Sequence, residues 1–154
     1  MSADWLLLAA LAGLMLTGAW LDLSQRRLPN SLCLLVLVAG IGATLWQYGP
    51  GALAMASVHA LIVLLVGMFL FKLGMIGGGD VKFYAAVAFW FPLHDAFRLL
   101  LLVSVFGLVL LVVWFLIRLR APKSAQPDHA RKKIGLPYGI AIALGALTLG
   151  FINL

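Results

Sequence analysis

The chain has 154 residues, of which 64% are hydrophobic and only 10% are charged, and its mean hydropathy is +1.12. Soluble domains carry roughly 25% charged residues, so the composition excludes an ordinary soluble protein and predicts an integral membrane protein. The single cysteine, Cys33, excludes a disulfide framework and a four-cysteine zinc site. The net charge of +6 does not indicate nucleic-acid binding, because the basic residues lie in short connections between apolar segments.

Six uncharged apolar segments follow one another along the chain. Most approach the roughly 20 residues that a spanning helix needs, and together they predict one all-α domain over residues 1–154, a bundle of six transmembrane helices. The segments are residues 5–21, 32–48, 52–71, 83–93, 99–117 and 134–154. The fourth is too short for a hydrocarbon core of about 30 Å. We therefore expect a short fourth helix that starts below the membrane surface and faces protein or a water-filled cavity.

The Lys and Arg residues predict the orientation of this bundle. Of the eleven, all except Arg98 lie in the connections after the first, third and fifth segments or at their edges. Because positive charge accumulates on the cytoplasmic side, these connections are expected inside and both termini outside. The polar and basic connection over residues 121–133 is then a cytoplasmic loop.

All five acidic residues are aspartates, and the predicted topology separates them. Asp4 and Asp95 fall outside, and Asp128 falls in the basic loop. Asp22 lies at the inner end of the first helix, and Asp80 follows three glycines at the start of the short fourth helix. These two share a side and a depth, and ionisable residues among apolar segments are costly unless they serve a function. Asp22 and Asp80 are therefore the candidate site.

Two carboxylates at close range can divide the work of peptide hydrolysis. Like charges disfavour double ionisation, so one group can act as general base on water while the other protonates the leaving amine. A helix start favours negative charge and a helix end disfavours it. We therefore expect Asp80 to be the base and Asp22 to hold the shared proton. With one cysteine and no clustered histidines, no metal or other cofactor is expected.

Three motifs resemble those of the type IV prepilin peptidases, in the order and at the spacing of that family. Gly77-Gly78-Gly79-Asp80-Val81-Lys82 resembles the GxGD motif of these aspartic peptidases. Residues 22–30, which begin with Asp22 and end in Leu28-Pro29-Asn30, resemble their first motif. Residues 136–142, which contain Pro137-Tyr138-Gly139, resemble their C-terminal motif. GxGD alone is short, and the three together make the resemblance specific.

The resemblance implies that Asp22 and Asp80 are catalytic at the cytoplasmic face of the bacterial inner membrane. It implies an endopeptidase that removes the basic leader from prepilin or pseudopilin precursors, with the phospholipid bilayer as its other partner. The short chain resembles the branch that serves Flp-type (tight-adherence) pili. The supporting residues that it implies are Gly77, Gly78, Gly79, Lys82, Pro29, Asn30, Pro137, Tyr138 and Gly139. Longer members that also N-methylate the product carry a cytosolic segment with paired cysteines, and no such segment occurs here, so the resemblance does not extend to methyl transfer.

Two other classes of protein fit the same residues. A small proton- or ion-coupled transporter would use Asp22 and Asp80 as relay carboxylates, but it should continue its polar path through the last two helices, which offer little beyond Ser104 and Thr148. A non-catalytic subunit of pilus or secretion assembly would tolerate asparagine at either position. His59, inside the third segment, is expected to be hydrogen-bonded within the bundle rather than to bind a ligand.

Overall fold

The computed structural model describes residues 3–120 and 137–153, and these residues are helical apart from short connections. The helices are α1 Ala3–Gln25, α2 Asn30–Lys72, α3 Gly78–Ala88, α4 Ala96–Arg120 and α5 Tyr138–Ile152, with a 3-10 turn at Leu93–Asp95. Among the described residues, three segments are long and apolar enough to cross a membrane, namely Asp4–Gln25, Asn30–Lys72 and Leu93–Ile117. The all-α membrane character is therefore confirmed, while the predicted loop at residues 121–133 lies outside the described residues.

The second and third predicted segments form α2, which consists of two helical arms separated by a break in the helical backbone. Gly49 has φ 79° and ψ −177°, and it precedes Pro50. Proline disfavours helical backbone at the preceding residue, and glycine adopts a positive φ without the steric cost of a Cβ. Residues 30–48 thus form a first arm and residues 50–72 a second arm. The sequence predicted two helices here, and the two arms correspond to them.

The start of α3 lies between the two arms of α2. Lys82 Nζ donates a hydrogen bond to Asn30 Oδ1 at the start of the first arm (3.2 Å). Val81, on the other side, packs against Gly67 near the end of the second arm, where an added Cβ would lie 2.6 Å from Val81 Cγ1. The start of α3 therefore contacts both the beginning of the first arm and the end of the second arm.

The far end of α3 is held by polar side chains from the middle of both arms. The carbonyl oxygen of Phe89 accepts a hydrogen bond from Thr44 Oγ1 (2.6 Å), and that of Phe91 lies 3.0 Å from His59 Nδ1. The last carbonyl groups of a helix have no N–H donor within that helix. The side chains of Thr44 and His59 therefore supply partners for the carbonyl groups of Phe89 and Phe91, just beyond the end of α3. The two arms consequently run antiparallel along α3, and the prediction that His59 is hydrogen-bonded in the bundle is confirmed.

The prediction of a short fourth helix is also confirmed, although its bounds differ. α3 has 11 residues, Gly78–Ala88, instead of the predicted residues 83–93. At 1.5 Å per residue it rises about 16 Å, roughly half of a hydrocarbon core. It ends early because Pro92 disfavours helical backbone at Phe91, and the chain then turns into the 3-10 segment. Phe83 and Val87 are fully buried, so α3 is a core element.

Small residues let the remaining helices pack closely. A Cβ added at Gly145 of α5 would lie 2.6 Å from Val103 Cγ2 of α4 and 2.9 Å from the Val103 backbone nitrogen. A Cβ at Gly18 of α1 would lie 2.6 Å from the ring of Phe83. Close backbone approach of this kind is the usual way in which membrane helices associate.

Asp95 ties the start of α4 to the end of α5, at the end of the bundle opposite to Asp22. Its side chain is buried (2% exposed), and it accepts hydrogen bonds from Asn153 Nδ2 (3.0 Å) and Arg98 (3.2 Å). Asp4 and Asn153 line the same small cavity at that end. The sequence placed Asp95 with Asp4 and away from Asp22, and the structure adds a structural role for it.

Replacing Asp95 with alanine should destabilise the fold, because the Asn153 amide and the Arg98 guanidinium lose a buried acceptor. We expect the free energy of unfolding to fall by about 1–3 kcal/mol, measured by denaturant titration in detergent micelles. Asp4→Ala, at an exposed aspartate of the same end, is the control and should change little. Equal stability of the two variants would show that the Asp95 contacts contribute nothing.

Candidate functional site

The three predicted motifs meet in one cavity, at the end of the bundle where α1 ends and α3 and α5 begin. The cavity has a volume of about 970 Å³, and both Asp22 and Asp80 line it. Residues 25–30 and 74–77 form much of the remaining wall, and Pro137 and Tyr138 contribute from the start of α5. Segments that are far apart in the sequence therefore surround one space.

Asp22 lies in the last turn of α1 and is buried, with 6% of its surface exposed. The helix continues to Gln25, and the Asp22 carbonyl oxygen accepts a hydrogen bond from the backbone nitrogen of Arg26 (3.0 Å). The Asp22 carboxylate accepts a hydrogen bond through Oδ2 from the backbone nitrogen of Gly139 (2.7 Å). The adjacent amide of Ile140 is also oriented towards it.

The contact of Asp22 with α5 follows from the way α5 starts. Pro137 precedes the helix and provides no side-chain cap, while Gly139 is the second helical residue. Amides in the first turn have no acceptor within their own helix. Asp22, a residue of another helix, supplies that acceptor. A Cβ at Gly139 would lie 2.7 Å from Asp22 Oδ2 and 3.1 Å from Asp22 Cβ. The close approach of α1 to α5 therefore depends on glycine at position 139.

Asp80 is the third residue of α3 and is partly exposed to the cavity. Residue Gly77 precedes the helix and has no side chain to cap it. The Asp80 carboxylate instead reaches back to the backbone amide of Gly77, which is the geometry of the acidic member of a capping box. Gly79 packs against Leu28, because a Cβ added at Gly79 would lie 3.6 Å from the Leu28 Cβ. The glycine run thus brings Asp80 close to the connection that follows α1.

The two carboxylates are within electrostatic reach of each other, because the charge of Asp22 acts directly on Asp80. The sequence predicted that they share a side and a depth, and the structure places both in one cavity. The supporting residues divide into three groups. Those that line the cavity are Pro29, Asn30, Gly77, Gly79, Lys82, Pro137 and Tyr138. Gly78 packs against Phe71, and Gly139 contacts Asp22.

Sequence reasoning missed two features of this site. Arg26 and Arg27 line the cavity, although only a role in topology was predicted for their charges. Their position inside the first motif was the available signal. The contact between Gly139 and Asp22 joins residues 117 positions apart, and no local pattern indicates it. Among the described residues, no group of three or more His, Cys, Asp or Glu side chains could hold a metal ion.

A second, apolar cavity adjoins the first one, and we call it the arm groove. It has a volume of about 560 Å³ and lies between the two arms of α2, with α3 at its base. Its apolar lining residues are Cys33, Leu34, Leu37, Ala60, Leu61, Leu64, Ala85, Ala86 and Phe89. Asn30 and Lys82 line both cavities, so the arm groove leads to the space that contains the two aspartates.

The chain matches the model of the type IV leader peptidase family over residues 9–112, more than half of its length, and it belongs to this family. Asp22 and Asp80 lie within the matched range, whereas Gly139 lies beyond it. Neither a curated protein nor a solved structure matches the chain. The predicted family is thereby confirmed, and its description indicates a peptidase.

Proposed function

We propose that this chain is a membrane-embedded aspartic endopeptidase that removes the basic leader from type IV, Flp-like prepilins at the cytoplasmic face of the inner membrane. The observation that carries the proposal is the pair of aspartates, Asp22 and Asp80, which come from different helices and line one cavity. Family membership supports the same activity. The proposal does not extend to methylation of the product.

In the proposed reaction, a water molecule in the cavity attacks the carbonyl carbon of the scissile peptide bond. The ionised aspartate takes a proton from this water, and the protonated aspartate gives its proton to the carbonyl oxygen, which produces a tetrahedral diol. One diol hydroxyl then returns its proton to a carboxylate as the carbon–nitrogen bond breaks, and the other carboxylic acid protonates the departing amine. One water is consumed, and a new carboxyl group and a new amine are formed. The reaction uses no cofactor.

The end of the bundle that holds the aspartates is the proposed cytoplasmic end. Arg26, Arg27 and Lys82 line its cavity, whereas Arg98 and Asp4 lie towards the opposite end. Positive charge on the cytoplasmic side of short connections sets the orientation of membrane proteins. Periplasmic and cytoplasmic reporters fused to the C-terminus should therefore report an external C-terminus. If the reporters place the C-terminus in the cytoplasm, the proposed orientation is contradicted. The two aspartates would then lie at the external end of the bundle, away from the cytoplasmic leader of this substrate.

Asparagine at Asp22 or Asp80 should abolish cleavage of a co-expressed prepilin while the protein still accumulates in the membrane. Asparagine keeps the shape of the side chain but can act neither as a base nor as an acid. The readout is the shift of the precursor band on a gel. Asp4→Asn is the control and should cleave normally, since Asp4 lies at the other end of α1. Full cleavage by Asp22→Asn or Asp80→Asn would rule out the aspartic mechanism and favour a relay or assembly role.

The arm groove supports a binding position for the apolar helix that follows the leader in such a precursor. The cavity of the aspartates has Arg26, Arg27 and Lys82 on its wall, so its charge does not select a basic leader. The arm groove is apolar, and the hydroxyl of its Ser57 is already bonded to the Leu53 carbonyl oxygen (2.8 Å). An apolar helix in this groove would end beside the two residues shared with the catalytic cavity. The peptide bond preceding that helix would then lie near the aspartates.

Disulfide trapping can test this binding position, because Cys33 is the single cysteine of the chain. In a Cys33→Ser, Asp80→Asn background, Leu61→Cys places a thiol in the arm groove, and Ile62→Cys places one on the same turn outside its lining. Both parent side chains are exposed. We expect a prepilin with one cysteine in its apolar helix to crosslink to Leu61→Cys at least about tenfold more than to Ile62→Cys, because only the first thiol would face the bound helix. Equal crosslinking would mean that the substrate helix does not bind in the arm groove.

A further inference from the structure

We propose that Gly139 is a positioning residue, which holds Asp22 as an ionised carboxylate and thereby makes Asp22 the general base and Asp80 the proton donor. The inference rests on the proposed function, and it reverses the roles that the sequence led us to expect. That expectation weighed only the end of α1, where unpaired carbonyl groups disfavour negative charge. Asp22 does lie in the last turn of α1, but its own carbonyl is paired with the Arg26 amide and its carboxylate meets the start of α5.

The hydrogen bond from Gly139 has the properties of a strong one. Its length of 2.7 Å is at the short end of the range for charge-assisted bonds from N–H to carboxylate. It is buried together with Asp22, so water competes little for either partner. The donor lies in the first turn of α5, where the unpaired amides carry partial positive charge and favour an anion. The short bond and the helix start stabilise the charged form of Asp22, and they oppose the desolvation that burial imposes on the carboxylate.

The groups around the two aspartates favour the same assignment. Asp22 meets the amides of Gly139 and Ile140 and the positive charge of Arg26, which directly follows α1, whereas Asp80 meets the amide of Gly77. The other titratable groups on the cavity wall are Arg27 and Lys82, together with the phenol of Tyr138. Lys82 Nζ donates a hydrogen bond to Asn30 Oδ1. A single proton shared by the pair is therefore better placed on Asp80.

Alanine at position 139 should break this arrangement without removing either acid. Its Cβ would lie 2.7 Å from Asp22 Oδ2, closer than real Cβ contacts, so the carboxylate must move away from the amide. A matched control lies on the same helix. A Cβ at Gly145 meets Val103, including its backbone nitrogen at 2.9 Å, but not Asp22. Gly145→Ala thus disturbs α5 packing at least as strongly, because backbone atoms cannot move aside as a side chain can, and it leaves the Asp22 hydrogen bond in place.

The first measurement reads the protonation of Asp22 without any substrate. In an Asp80→Asn background at neutral pH, infrared difference spectra against the Asp22→Asn, Asp80→Asn double variant isolate the Asp22 carboxyl. We expect the carboxylate signature in Asp80→Asn, a carboxylic acid band after adding Gly139→Ala, and no such band after adding Gly145→Ala. A carboxylic acid band already present in Asp80→Asn would overturn the assignment, even if the Gly139 variant fails to fold. A carboxylate signature that Gly139→Ala leaves unchanged would also overturn the assignment.

The second measurement is cleavage of a prepilin. Gly139→Ala should lower kcat about 10- to 100-fold, the effect of one charge-assisted hydrogen bond, with KM changed less than about threefold. Gly145→Ala should retain kcat in whatever fraction of the protein folds. Equal losses of kcat would reduce Gly139 to a packing residue. If the parent protein cleaves no prepilin, the proposed function fails, while the infrared spectra still decide the role of Gly139.

Discussion

The buried hydrogen bond between the Gly139 amide and the Asp22 carboxylate is the contact on which the arrangement of the helices around the cavity depends. It satisfies the unpaired start of α5 with an acid from α1, so the same contact orders a helix and orients a candidate catalytic group. The other end of α5 is held in a related way, since Asn153 donates to the buried carboxylate of Asp95. One aspartate at each end thus fixes α5, and Gly145 allows its close packing on α4.

A short helix makes the cavity possible. α3 rises only about half of a hydrocarbon core, so its glycine-rich start opens a space that a full-length helix would fill. The arms of α2 support α3 on both sides, and Thr44 and His59 satisfy the carbonyl groups at its end. These two polar residues have a structural explanation, and neither is needed to extend a polar path from Asp22 and Asp80. The geometry consequently suits local chemistry at one end of the bundle better than conduction along it.

Hydropathy and charge predicted much of this architecture. The apolar segments indicated the helices, the lengths indicated a short one, and the sidedness of Lys and Arg singled out Asp22 and Asp80 among five aspartates. The same reasoning could not reach the tertiary contacts. It weighed the carbonyl end of α1 beside Asp22, but not the amide of Gly139, which comes from 117 positions away. It did predict the break between the arms of α2, because Gly49 and Pro50 are typical turn residues.

The central claim is that an amide of α5 binds the Asp22 carboxylate, and a distance measurement tests it most directly. Solid-state NMR on protein in lipid bilayers, labelled with ¹⁵N in glycine and ¹³C in the aspartate carboxyl groups, measures nitrogen–carbon dipolar coupling. The structure predicts a coupling between a glycine nitrogen and the Asp22 carboxyl carbon, with Gly139 N 2.7 Å from Asp22 Oδ2. This coupling disappears in Asp22→Asn, while the coupling of Gly77 to the Asp80 carboxyl remains. Spectra in which Asp22→Asn removes no coupling between a glycine nitrogen and a carboxyl carbon would contradict the account.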